Sequence, residues 1–168
     1  LLAGARVPLV LAAVEGLNAI YRSVNTYPHL AGESVRGNPE RLSEAELARS
    51  ARGILDDLYG AEIADWHDLY RARLNEDRAT TDLVRVARAA TYGAVASLLV
   101  DMDQAIEGTV DEKDGTPTIA ESPGPDTYGI VDEIARRVLQ SGGQVLSVRA
   151  AEMPEPDRPL AAILRYAL

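Results

Sequence analysis

At 168 residues, 46% hydrophobic and 26% charged, the chain has the length and composition of one globular domain with a real core. Its 17 basic against 26 acidic residues give a net charge of −9, which disfavours whole-surface attraction to nucleic acid while leaving room for a local basic patch. Without cysteine there are no disulfides and no thiolate metal sites, and no apolar run approaches the roughly 18–20 residues of a membrane-crossing helix.

In chain order, Leu1–Val14 is apolar but lacks the basic start of a signal peptide. Leu9–Val14 reads instead as a buried strand behind Pro8, a residue tolerated where a strand begins. An opening Leu rather than Met leads to the expectation that a longer protein was trimmed. Leu17–Val24 is expected to make a short helix, with Ile20 and Val24 four apart. Residues 25–38 hold Pro28, Gly32 and Gly37 and read as loop, with a short edge strand near Glu33–Arg36. Ser43-Glu44-Ala45-Glu46 is a capping box, and the helix it opens continues to about Glu76. Trp66, with Tyr59 and Tyr70 at helical spacing, reads as core or a helix–helix contact.

Thr80 or Thr81 is expected to cap the next helix, which carries Leu83, Val86, Ala87 and Ala90 inward. Gly93 breaks that pattern, and Ala94–Val100 follows as a nearly unbroken apolar run. Such a run reads as a strand covered on both faces, the middle of a sheet. Asp101-Met102-Asp103 closes it with a polar turn. Ala105–Val110 is the next strand, joined tightly to the central one. Residues 111–127 are a low-complexity stretch expected to be a flexible loop, although Asp114-Gly115 is a hairpin pair from which Thr116–Ala120 can return as a strand. Asp126 or Thr127 is expected to cap a helix whose inner face is Val131, Ile134, Ala135, Val138 and Leu139, ended by Gly142-Gly143. Gln144–Arg149 and Leu160–Tyr166 are the last strands. The sum is a single α/β domain, a three-layer α/β/α sandwich with a central mixed sheet.

Tyr21-Arg22-Ser23-Val24-Asn25-Thr26-Tyr27-Pro28-His29-Leu30, Gly37-Asn38-Pro39-Glu40-Arg41-Leu42-Ser43, Gly142-Gly143 and Pro159–Tyr166 form an ordered set. Over nearly its whole length the chain resembles the C-terminal (third) domain of the bacterial branch of the archaeo-eukaryotic class I peptide chain release factor family. That resemblance implies the fold of the kink-turn RNA-binding ribosomal proteins, shared with Pelota-type rescue factors. It also implies a cytoplasmic, ribosome-associated role in termination or rescue, carried out by docking to a protein partner or the ribosome. The eukaryotic relatives recruit a translational GTPase through this domain. Peptidyl-tRNA hydrolysis would belong to a central domain outside this chain.

One tripeptide tests that reading. Release factors of this class hydrolyse peptidyl-tRNA with a Gly-Gly-Gln loop, and Gly142-Gly143-Gln144 spells it. The chemistry needs glycines on a long mobile loop, whereas these sit between a capped helix and a strand. A left-handed helix end and a tight turn account for both.

Other candidates are of two kinds. Arg22, Tyr27, His29, Arg36 and Asn38 gather base, aromatic and amide groups on one loop able to touch RNA or protein, or equally to serve as scaffold. Asp101 and Asp103 lie at the carboxyl end of the central strand, where open α/β sheets place ligands. They keep open a stand-alone α/β ligand- or nucleotide-binding enzyme, just as the fold resemblance keeps open a kink-turn RNA-binding module. No metal or cofactor is expected. His29 and His67 are far apart, Ser141 is not in a G-x-S-x-G elbow, and no phosphate-binding glycine pattern follows a strand.

Overall fold

In the computed structural model, which describes Gly4 and residues 7–167, backbone pairing sorts the strands into three sheets and the chain into two compact units, Leu1–Ala64 and Asp65–Leu168. The first unit begins with β1 (Leu9–Ala13), α1 (Glu15–Val24) and β2 (Leu30–Arg36). β1 and β2 pair in parallel, from Leu9 opposite Leu30 to Ala13 opposite Arg36, with α1 as the connection. The expected edge strand at 33–36 therefore starts earlier, at Leu30, because β1 supplies hydrogen-bonding partners along its whole length. α1 buries none of its residues, and Leu17, Ile20 and Val24 are 61, 62 and 71% exposed.

The longest helix, α2 (Glu44–Leu74), starts as the sequence requires. The Ser43 N–H and hydroxyl both donate to Glu46 Oε2 at 2.8 and 2.7 Å, and the Glu46 N–H returns to the Ser43 hydroxyl at 3.3 Å. Those bonds hold the Glu46 carboxyl below its ordinary range. The division between the two units falls inside α2, between Ala64 and Asp65.

The second unit continues with β3 (Ala79–Thr80), α3 (Leu83–Thr91), β4 (Val95–Asp101), β5 (Glu107–Val110), β6 (Pro117–Ile119), β7 (Tyr128–Gly129), α4 (Ile130–Gln140), β8 (Gln144–Val148) and β9 (Leu160–Leu164). Four strands form a mixed sheet in the order β3-β9-β4-β8, with β4 parallel to β8 and antiparallel to β9. The apolar run thus occupies an inner position, as expected. One face of the sheet, with Leu98, Val100, Leu160, Ala162 and Leu164, packs on Val86, Ala87 and Ala90 of α3 and on Ile134 and Val138 of α4. Alternate residues of β4 point the other way. There Ser97 accepts a 2.8 Å bond from the indole N–H of buried Trp66, whose ring stacks on Tyr70 at 5.2 Å. Residues 65–74 of α2 supply that third layer. Burial, with Glu155 adding to it, pushes the Tyr70 hydroxyl up to about 12.

Three local expectations are corrected. α3 is capped by Asp82, whose carboxylate accepts from the Arg85 N–H at 2.7 Å, because Thr80 is already paired in β3. α4 starts at Ile130 behind Gly129, not at Asp126 or Thr127, because Tyr128 and Gly129 are held against β5 as β7. β5 itself leaves the mixed sheet and forms a separate sheet, β6-β5-β7. Asp101 turns the chain away, accepting from the Asp103 N–H at 2.9 Å and the Gln104 amide at 2.8 Å.

Arg137 fastens this small sheet. Its guanidinium donates to Glu133, the Thr91 hydroxyl, and the carbonyls of Asp111 and Val110, at 2.6 to 3.2 Å. The hairpin tip presses on α3 so closely that a Cβ on Gly115 would collide with Thr91 Oγ1.

Candidate functional site

The Gly-Gly-Gln tripeptide sits where α4 hands over to β8. Gly142 has φ +75°, the left-handed conformation that closes a helix. Its N–H donates to Leu139 O at 3.0 Å, and the Gly143 N–H donates to Val138 O at 2.8 Å. A side chain at 143 has no room: its Cβ would lie 2.6 Å from Val138 Cγ1 and 2.9 Å from Val95 O. Gln144 is the first residue of β8, in parallel register with Ser97. The two glycines are thus a helix-to-strand turn fixed on both sides, not a mobile loop.

The candidate loop of the first unit is bound up with its own scaffold. The Arg22 guanidinium donates to Asn18 Oδ1 at 2.7 Å and to the carbonyls of Ala31 and Glu33 at 3.0 and 3.3 Å, tying α1 to β2. Its partners are an amide and backbone oxygens rather than an acidic side chain. Tyr27 is held by Asn25, through N–H to Oδ1 at 3.2 Å, and donates its hydroxyl to Val7 O. Its ring meets exposed His29 edge-on, with centroids 5.6 Å apart. Asn38 caps the short 3-10 turn Pro39–Arg41 by accepting from the Glu40 N–H at 3.0 Å. Arg36 and Arg22 share an open hollow of about 630 Å³ with Glu15 and Ser34, at the carboxyl ends of β1 and β2.

Asp101 is 1% exposed, and both its oxygens are taken by the turn it makes. Asp103 stands on the surface, paired with Arg149 at 2.5 Å. Among the described residues no group of three or more His, Asp or Glu side chains is placed to hold a metal.

A feature that sequence reading missed lies between α3 and α4. A hollow of about 720 Å³ is lined by Thr91, Tyr92, Tyr128, Glu133, Arg136 and Gln140, among others. Glu133 takes both Arg136, in a two-pronged contact at 2.6 and 2.7 Å, and Arg137 at 2.7 Å. Arg136 and then Arg137 hold its carboxyl down to about 2. The signal was in the sequence: a glutamate three and four residues ahead of two arginines on a helix.

Comparison with known proteins bears out the expected resemblance. Residues 1–61 match the family model of bacterial archaeo-eukaryotic release factor family 11. The C-terminal domain of a peptide chain release factor from Methanosarcina mazei has a similar structure, with TM-score 0.59 at 20% identity, over 76% of this chain and 98% of that one. A model of ribosome-bound archaeal Pelota and ABCE1 gives TM-score 0.56 at 19% identity over 95% of this chain. The chain spans 44% of that Pelota. No curated protein matches the sequence. At these identities the likeness establishes the fold, a mixed α/β arrangement found in release factors and Pelota.

Proposed function

We propose that this chain is the non-catalytic binding part of a release-factor-like protein, acting in translation termination or ribosome rescue by docking to a protein partner or the ribosome. The family-model match over residues 1–61 and the shared fold support the release-factor setting. The observation that carries the non-catalytic reading is the Gly142–Gln144 turn. Hydrolysis by such a tripeptide needs backbone free to approach an ester, and here Val138 and the Val95 carbonyl occupy the space around Gly143. In this reading the 168 residues are the carboxyl-terminal part of a longer cytoplasmic protein, and hydrolysis is done elsewhere in it. No cofactor is needed. The competing ligand site at Asp101 has little to offer a ligand, since the carboxylate is buried and each of its oxygens already accepts a bond from its own turn. Direct RNA binding is disfavoured by the net charge of −9.

The test is release of the acyl group from charged transfer RNA by the purified chain, with and without ribosomes. No release above background is expected, and Gln144→Ala is expected to change nothing. Release that disappears in Gln144→Ala overturns the proposal. Co-sedimentation with ribosomes distinguishes ribosome docking from recruitment of a protein partner alone.

A further inference from the structure

α3 buries Val86, Ala87, Ala89 and Ala90 on its inner side. Its outer side carries Val84, Arg88 and Tyr92 at four-residue spacing, with Val84 46% and Tyr92 56% exposed. Tyr92 stands between two depressions of the second unit. One, of about 470 Å³, is lined by Asp82, Val84, Arg85, Arg88 and Tyr92. The other is the α3–α4 hollow already described, with Tyr128 and Arg136 on its wall.

The charges around these depressions are unevenly satisfied. Asp82 is spent on the α3 cap, Glu133 on two arginines, and Arg85 is held by Asp77 at 2.7 Å. Glu112, on the hairpin, faces Arg136. Arg88 is exposed, and its guanidinium makes no hydrogen bond or ion pair among the described residues. Arg136 binds Glu133 through Nε and Nη2, while Nη1 makes no hydrogen bond among the described residues. Four arginines meet four carboxylates here, Asp77 included, a local balance of charge on a chain with an acidic excess of nine. Exposed tyrosines beside unpaired guanidinium edges are the residue types that carry most of the energy at protein interfaces. A guanidinium fork matches a carboxylate.

Building on the non-catalytic docking reading, we propose that the outer face of α3, from Val84 through Arg88 to Tyr92 and across to Arg136, receives a short acidic segment of a protein partner. Carboxylates of that segment pair with Arg88 and Arg136, and an apolar side chain lies against Tyr92. A peptide segment concentrates its charge on this face. An RNA backbone would bring phosphates against the acidic remainder of the surface as well.

The probe is a fluorescent peptide alternating pairs of glutamate with leucine and phenylalanine, and its glutamine counterpart is the control. The glutamate peptide is expected to bind the full chain saturably, more weakly as salt rises, and about tenfold more weakly to Arg88→Glu or Tyr92→Ala. Arg52→Glu, on α2 in the first unit, is expected to leave binding unchanged. The face is not the docking site if binding is absent, if Arg88→Glu leaves it intact, or if the glutamine peptide binds as well. Salt-sensitive retention of single-stranded RNA that Arg88→Glu abolishes, without peptide binding, would assign the face to nucleic acid and overturn the proposal. Either failure leaves the release assay, and with it the non-catalytic reading, standing.

Discussion

α1 and α4 are both amphipathic on paper, yet only one has its apolar side covered. In the second unit α4 buries Ile130, Val131, Ile134 and Val138 against the mixed sheet. In the first, α1 turns Leu17, Ile20 and Val24 to the surface beside a sheet of two strands. A parallel strand pair with one connecting helix is a fragment of the layered arrangement that normally covers such strands on both faces. Equal periodicity therefore says which side of a helix seeks cover, not whether the chain in hand provides it.

The contrast is broken most strongly at the centre of the second unit. Leu98, fully buried between β8 and β9, is expected to cost about 2–5 kcal/mol when changed to Ala, read from the denaturant midpoint. Gly143→Ala comes next, at about 2–3 kcal/mol, because its Cβ must displace Val138 or the β4 backbone. Gly142→Ala, with open space around it, is expected to cost about 1–2 kcal/mol from its left-handed backbone alone.

Acid should separate the units further. The Glu133 carboxyl is lowered from 4.5 to about 2 by Arg136 and Arg137, so the folded state holds this proton less tightly than the unfolded chain. Its contribution is complete above about pH 4.5 and is lost as pH falls towards 2. Glu133→Gln should flatten that part of the stability profile, measured by chemical denaturation at a series of pH values.

The smallest effect sharpens the comparison from the other side. Replacing Leu17, Ile20 and Val24 singly with Gln should each change stability by no more than about 0.5 kcal/mol, as for exposed positions. Losses of core size at these positions would mean that α1 is covered after all.

Much of this was legible in the sequence. The Ser43–Glu46 box, the buried run at β4 and the Gly-Gly helix end are local signals, written in neighbouring residues and read by short-range sterics and hydrogen bonding. What escaped is non-local. Periodicity marks β5 as a strand but cannot say that it pairs with β6 and β7 instead of the mixed sheet. The caps of α3 and α4 moved because Thr80, Tyr128 and Gly129 were claimed by strand pairing first. Of the candidate residues, Arg22 was legible as polar and conspicuous, but its backbone partners Ala31 and Glu33 lie across a turn whose path no spacing rule supplies. Arg88 and Tyr92 drew no notice because helical spacing points attention at the inner face.

The crowding around Gly143 has a consequence for how descendants of this sequence will drift. Any β-carbon at that position collides with a neighbour, so purifying selection for a folded domain would retain the glycine whether or not the molecule ever met an ester. Persistence of that one glycine across lineages would then record a steric debt, and its inheritance alone would be no witness to chemistry.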